Sequence, residues 1–149
     1  MKEKYEINSR TIAIIPVAEN ISQIIEVEDN FLIHQSTTGI IEDSCKFFGS
    51  SYSGRHEGTK NLIGVNYKSP IIVEESLELI FFPTASPRIQ DCAWLSLNHI
   101  ENYFKKGYVT QINFKNGKKI ELEISCGSLE NQIMRATMLE VMHRKRKLA

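Results

Sequence analysis

The sequence predicts an α+β fold: a single β-rich domain of antiparallel hairpins with two short central helices and a C-terminal helix. Short apolar runs of strand length recur between turn residues along most of the chain. Residues 120–124 alternate between apolar and acidic, which gives that strand one buried face. After Ser128, a good N-cap, apolar residues instead return at the spacing of an α-helix. All 149 residues are assigned to this one domain, a length that can bury a core without disulfides.

The N-terminal region is predicted to be a small antiparallel sheet. A first strand is expected within residues 5–17, ending at Pro16 because proline has no N–H group to donate to a neighbouring strand. Residues 22–28 and 31–35 form two further runs around an Asp-Asn step, the spacing of a hairpin with a two-residue turn. Acidic residues are frequent here, so the region is predicted to supply core and an edge for a partner subunit rather than a surface that binds anions.

Two short helices are predicted around a Gly-Ser turn. The first runs to Phe48 after a cap at Asp43-Ser44, and the second runs from a cap at Ser53 to a stop at Gly64. The turn aims the N-terminus of the second helix outward, where N–H groups and the helix dipole attract anions. The two phenylalanines that end the first helix are predicted to pack in the core.

The second half is predicted to hold two more hairpins. The first joins residues 71–73 to residues 77–82 and is followed by a loop as far as Cys92. Trp94 is predicted to fill the core, as most single tryptophans do. An Asn-Gly pair favours the tight turn of the second hairpin, and lysines stand at its tip. The apolar stripe of the final helix is predicted to pack on the sheet or on a second copy of itself.

Composition and motifs argue against several classes of protein. No stretch approaches the roughly 18 consecutive apolar residues of a membrane span, and the charged start is not a signal peptide, so a cytoplasmic location is expected. Cys45, Cys92 and Cys126 lack the short spacing of a metal site and are predicted to be buried free thiols. With no recognisable catalytic motif, the chain is not predicted to be an enzyme, and neither a metal nor a cofactor is expected.

Charge is segregated along the chain although the formal net charge is zero. Residues 1–44 carry eight acids against three bases, and residues 70–104 carry five acids against one base. Residues 45–69, 105–119 and 135–149 carry four, five and five bases, with at most one acid each. Folding can gather these three basic blocks into a positive patch that attracts nucleic acid. The alternative is an uneven surface charge without function.

The run CKFFGSSYSGR at residues 45–55, followed by Gly58-Thr59, resembles the ComK family of competence transcription factors. Further stretches resemble the family in the same order and carry the likeness over nearly the whole chain: SPIIV at 69–73, IFFPT at 80–84, WLS at 94–96, NGK at 116–118 and SLENQ at 128–132. A weaker likeness of the region after Trp94 to LytTR-type domains supports DNA contact through loops rather than through a recognition helix.

The ComK resemblance implies a sequence-specific transcription activator of DNA-uptake genes. Such a protein would bind A/T-rich promoter boxes of double-stranded DNA through the minor groove and self-associate as a dimer, without a membrane partner. A minor groove narrowed by A-tracts concentrates negative potential and draws in arginine and lysine. Longer family members carry a C-terminal tail that serves adaptor-guided proteolysis and self-association, and this chain stops at Ala149. It is therefore interpreted as a short form. Whether the proteolytic adaptor acts on this form is an open alternative.

Arg55 is the leading candidate for DNA contact because it lies in the run that carries the resemblance. A lysine-tipped hairpin can enter a groove or simply keep a turn soluble, and a basic terminal segment can grip phosphate or remain solvated. The alternative function is a regulatory or dimerisation module that pairs with a full-length homologue and does not bind DNA. The DNA-binding candidates are Lys46, Arg55, His56, Lys60, Lys115, Lys118, Lys119, Arg144, Lys145, Arg146 and Lys147.

Overall fold

Two antiparallel sheets and three α-helices make up the computed structural model, which describes residues 1–89 and 91–149. This arrangement confirms the α+β prediction, including the C-terminal helix. The larger sheet has the order β3-β2-β1-β6-β5-β4 and the smaller one the order β7-β8-β9. The strands are β1 Thr11–Ala18, β2 Ile21–Glu26, β3 Asn30–Ile33, β4 Ile71–Glu74, β5 Leu79–Pro83, β6 Trp94–Ser96, β7 Ile100–Lys106, β8 Val109–Phe114 and β9 Lys119–Leu122. The helices are α1 Thr37–Phe47, α2 Tyr52–Ile63 and α3 Cys126–Leu148, with a short 3-10 helix at Leu97–His99.

Strand β1 continues past the proline at which the sequence predicted its end. Pro16 faces Ser22 of β2, and the register shifts between Pro16 and Ala18. Strand β6 pairs with β1 only at Ala13 and Ile14, so the missing N–H lies where β1 has no second neighbour. Proline is tolerated at such an edge and bulge position. The turn between β2 and β3 also differs from the predicted two-residue form, because it spans residues 27–29.

The larger sheet is buried on both faces. One face packs against α1 and the start of α2, and its core includes Ile14, Phe81 and Trp94. The other face packs against α3 and the smaller sheet, with Phe82 and Leu95 among its buried residues. Trp94 is fully buried, as predicted, and its indole N–H donates to the hydroxyl of Thr38 at 3.4 Å.

Each helix begins at a serine, but not at the predicted one. Helix α1 is capped by Ser36, while Ser44 is buried within the helix and its hydroxyl accepts from the N–H of Ile7 at 3.0 Å. Helix α2 is capped by Ser51 and ends, as predicted, at Gly64 with φ 73°. Helix α3 is capped by Ser125, whose hydroxyl accepts from the N–H of Ser128. The predicted caps of α2 and α3 lie within three residues of the observed ones, whereas the predicted cap of α1 is wrong by about two helical turns.

The aromatic pair that ends α1 is divided between core and solvent. Phe48 packs against the core, whereas Phe47 is 63% exposed, so the prediction that both point inward is wrong for Phe47. The two rings touch edge to face with centroids 5.2 Å apart. Among the helices of residues 1–89 and 91–149, none combines the length and the apolar character that crossing a membrane requires.

Candidate nucleic-acid interface

A groove of about 550 Å³ runs along the N-terminal half of α2. Helix α2, the segment before β4 and the loop after β5 form its three walls, and Thr38 at the start of α1 adds to the lining. We call it the α2 groove. Its lining residues are Thr38, Tyr52, Ser53, His56, Glu57, Asn66, Tyr67, Lys68, Ser86, Pro87 and Arg88.

The start of α2 gives the groove a polar end. The hydroxyl of Ser51 accepts from the N–H of Gly54 at 3.0 Å, while the other N–H groups of a first helical turn have no partner within the helix. Tyr52 stands between this end and the core, with its ring edge-on to Trp94 at 6.4 Å and 6.1 Å from the ring of His56. Burial raises the pKa of Tyr52 to about 12, so its hydroxyl stays protonated and can donate a hydrogen bond at neutral pH.

The two segments that carry Lys68 and Arg88 are held in place by hydrogen bonds to their backbone carbonyls. The backbone carbonyl of Lys68 accepts from the side chain of Gln132 at 2.9 Å, and that of Tyr67 accepts from Arg135 at 3.1 Å. The carbonyl of Pro87 accepts from the hydroxyl of Thr38 at 3.1 Å. Helices α1 and α3 therefore fix the two segments that carry these cations. Sequence reasoning omitted both residues, although Lys68 belongs to a basic block and Arg88 is the only base of its loop.

The predicted residues of α1 and α2 occupy different positions relative to this groove. His56 lines it, and the exposed Lys60 follows one helical turn later on the same side of α2. Arg55 is half-buried on the side that faces Cys45 and Glu74, and its Nε atom is buried without a hydrogen-bond partner among the described residues. Lys46 is exposed at the end of α1. Arg55, the leading candidate, is thus half-buried and does not line the groove.

The lysine-tipped hairpin between β8 and β9 is docked onto another part of the protein. The ammonium group of Lys118 donates to the backbone carbonyls of Glu26 at 2.7 Å and Asp29 at 3.3 Å. The side-chain amide of Asn116 donates to the carbonyl of Val27 at 2.9 Å. Lys118 is half-buried and closes the turn between β2 and β3, while Lys115 and Lys119 remain exposed.

Replacing Lys118 by alanine is expected to lower the free energy of unfolding by about 1–3 kcal/mol, because carbonyls of the turn at residues 27–29 lose a charged donor. Denaturant unfolding measures the change. The matched control is Lys119→Ala at the exposed neighbour, expected within about 0.5 kcal/mol of the unmodified protein. Equal stability of the two variants would show that the docking contact contributes nothing.

The basic C-terminal segment is helical and lies beside an acidic turn. His143 contacts Glu75 at 2.9 Å, Lys147 approaches the same carboxylate at 3.9 Å, and Arg144 approaches Glu78 at 3.7 Å. Lys145 lines a different, apolar groove, and Arg146 is exposed. Part of the charge of this segment is therefore balanced within the chain.

The three basic blocks do not converge on one surface. Helix α3 has 23 residues and is about 34 Å long. Its N-terminal half contacts the α2 groove through Gln132 and Arg135, whereas its C-terminal end contacts the turn after β4. The docked hairpin lies towards that second end, since the N–H of Lys115 donates to the carbonyl of His99 and Asn98 donates to that of Glu78.

The opposite hairpin tip, between β7 and β8, is the exposed one. Tyr108 is fully exposed beside Gly107, and Lys105 and Lys106 precede them. Lys106 reaches Glu121 at 2.8 Å. The hydroxyl of Thr110 hydrogen-bonds to the carbonyl of Ile124, which places this tip at the same end of α3 as the α2 groove. The sequence analysis did not include this tip among the DNA-binding candidates, although two lysines followed by Gly-Tyr were visible there.

Comparison with known proteins agrees with the resemblance. The family model described as "ComK protein" matches residues 2–147. A protein of Bacillus subtilis (strain 168) named "Competence transcription factor" is 37% identical over 148 residues, covering 97% of this chain and 77% of the relative. No solved structure matches. A regulatory family of this kind agrees with the prediction that the chain is not an enzyme. The chain belongs to the ComK family.

Proposed function

We propose that this chain is a DNA-binding transcription activator of competence genes that recognises A/T-rich promoter boxes through the minor groove and acts as a dimer. Family membership and the name of the Bacillus subtilis relative support a role in transcription. The observation that carries DNA contact is the α2 groove, where His56, Lys68 and Arg88 come together from three segments of the chain.

The α2 groove suits a phosphate backbone. Lys68 and Arg88 supply positive charge, and the start of α2 adds N–H groups together with the positive end of the helix dipole. Hydroxyl groups of Tyr52 and Ser53 can donate to phosphate oxygens. Glu57 is the acid of the lining, so positive charge prevails. Lys60 of the predicted set lies one helical turn after His56 and extends the positive region along α2, whereas Lys46 and Arg55 are not part of the groove lining.

The exposed tip between β7 and β8 suits a narrow DNA groove. The turn at Gly107 and Tyr108 extends beyond the pairing of β8 with β9, which ends at Thr110, so the tip itself is narrow. Lys105 can follow the negative potential of an A/T-rich minor groove. Because the tip and the α2 groove lie at the same end of α3, one duplex can touch both. In this arrangement phosphate contacts position the protein and the tip reads A/T content.

The remaining predicted cations are assigned a secondary role. Lys115, Lys118 and Lys119 belong to the docked hairpin, and residues 144–147 lie beside Glu75 and Glu78. Contacts with a longer or bent duplex can still involve the exposed members of these groups. The first contact with DNA is assigned to the end of the molecule that carries the α2 groove and the tip between β7 and β8, where fewer carboxylates neighbour the cations.

The test is a gel-shift series at increasing salt with an A/T-box duplex and a G/C-substituted duplex. We expect tighter binding to the A/T duplex at every salt concentration, with affinity that falls as salt rises because bound phosphates release counterions. The variant Lys105→Ala/Tyr108→Ala is expected to reduce the A/T preference and to lower the salt dependence by about one released counterion at most, because it removes a single cation. Equal affinity for both duplexes at all salt concentrations would contradict the proposal.

A second candidate function is the regulatory module that pairs with a homologue and does not bind DNA. The observation that favours it is an exposed apolar groove on α3, lined by Ile63, Met134 and Met138 among others. This module would retain association with other chains of the family, while DNA binding would stay at the non-specific level.

A further inference from the structure

The outward face of α3 carries an uncovered apolar stripe. Met134 and Met138 are 62% and 55% exposed, and Val141 and Leu148 are exposed as well. The opposite face of the same helix is buried through Leu129, Ala136 and Leu139. A surface helix normally needs only one apolar face. The second one therefore indicates a surface that binds another molecule.

The stripe has the spacing of a coiled-coil seam. Asn131, Met134, Met138, Val141, Lys145 and Leu148 follow one another at alternating intervals of three and four residues. This interval keeps side chains in line along a helix that packs against a second, nearly parallel or antiparallel helix. A sheet or a single pocket would not require so long and regular a line. The stripe is best matched by another helix of similar length.

Residues at the end of α2 widen the surface. Ile63 and Val65 border the stripe and form with it a groove of about 650 Å³. Arg135, at the edge of this groove, is held by the carbonyl of Tyr67 at 3.1 Å. We call the stripe together with Ile63 and Val65 the α3 face. Its apolar centre and polar edges are typical of a protein interface.

We infer that the α3 face binds the α3 face of a second copy of this chain, with the two helices antiparallel and related by a two-fold axis near Thr137. This inference rests on the dimer included in the proposed function, but not on DNA contact. A two-fold axis makes the interface self-complementary, since every contact between two residues occurs twice, once on each side of the axis. The argument for this occupant comes from charge and from side-chain size.

Charge favours the antiparallel pair. Glu130 and Arg144 lie on the same edge of the stripe, and Thr137 is midway between them. Antiparallel packing across Thr137 brings each Glu130 opposite Arg144 of the second copy, so two ion pairs form. Arg144 also approaches Glu78 at 3.7 Å, but both side chains are more than half exposed, so the arginine can turn towards a second partner.

Side-chain size favours the same register. In the antiparallel pair, Lys145 lies opposite Gly127 of the second copy, and the space above Gly127 is open. The lysine stem can cover that glycine while its ammonium group reaches solvent. In a parallel pair, Lys145 would face its own copy across the seam, with like charges close together. The antiparallel arrangement avoids that repulsion.

Sedimentation of the full chain without DNA, over a series of concentrations, tests the inference. The unmodified protein is expected to be a dimer. Met138→Glu is expected to raise the dimer dissociation constant by roughly 100-fold or more, because each of the two copies then places a negative charge at the apolar centre of the interface. The matched control is Leu77→Glu, an exposed apolar residue outside the α3 face, which is expected to leave the dimer unchanged. Circular dichroism verifies that both variants are folded.

A charge swap tests the antiparallel register. Glu130→Arg and Arg144→Glu are each expected to weaken the dimer, whereas the double variant is expected to restore it, since the ion pairs are rebuilt with reversed sign. A monomeric unmodified protein, or a dimer that survives Met138→Glu, would overturn the inference. A double variant weaker than both single ones would overturn the antiparallel register. DNA binding is read separately in the gel shift, so failure of the α3 face and failure of promoter recognition are distinguishable.

Discussion

Replacing Lys68 and Arg88 together by glutamate is expected to lower the affinity for promoter DNA on the order of 100-fold at low salt. Both side chains line the α2 groove, and the change puts two negative charges where phosphates are proposed to lie. A gel shift at several salt concentrations measures it. The salt dependence should also become shallower, because each lost phosphate contact removes about one released counterion.

The matched control is Lys115→Glu/Lys119→Glu, which makes the same change in net charge on the docked hairpin. We expect the control to lose much less affinity. A larger loss in the control would move the interface to the hairpin that the sequence first suggested. Because Lys68 is half-buried, the unfolding transition of both variants is compared before binding is measured.

Replacing Trp94 by alanine is expected to lower the free energy of unfolding by about 3–5 kcal/mol. The indole is fully buried, packs edge-on against Tyr52 and donates to Thr38. Strand β6, which it begins, lies between β1 and β5 in the larger sheet. Removing the ring leaves a cavity at the point where α1, α2 and the sheet meet. Denaturant unfolding followed by circular dichroism measures the loss.

Tyr108→Ala provides the control for Trp94→Ala, because Tyr108 is an aromatic residue that is fully exposed. Its stability should stay within about 0.5 kcal/mol of the unmodified protein. A loss below about 1 kcal/mol for Trp94→Ala would mean that the core refills the space, contrary to the close packing that is typical of protein interiors.

Local patterns accounted for most of the fold. Alternation and turn chemistry placed the hairpins. The helix end at Gly64 and the burial of Trp94 were also predicted, because the first depends on the backbone freedom of glycine and the second on the size of the indole. Local patterns failed where a distant segment supplies the partner. Ser44 is an acceptor for Ile7 rather than a cap, and Lys118 binds carbonyls of a turn near the start of the chain.

The α2 groove shows the same limit for function. The sequence placed His56 in the first turn of the second predicted helix, whose outward N-terminus was expected to attract anions. Lys68 and Arg88 join it only through hydrogen bonds made by Gln132, Arg135 and Thr38. Those contacts link segments that carry no common motif. Single-sequence reasoning therefore found one wall of the groove and could not find the other two.

The central place of β6 has a consequence for how the protein reaches its native state. Ala13 of β1 pairs with Leu95 of β6, so the two halves of the sheet join through residues far apart in the chain. Such pairings are slow to form, because the entropy cost of closing a long loop comes before any stabilising contact is made. During synthesis, the hairpins β1–β2 and β2–β3 can assemble early, whereas the edge of β1 stays open until residues 94–96 leave the ribosome. This nascent chain therefore exposes an aggregation-prone strand edge for about half of its synthesis.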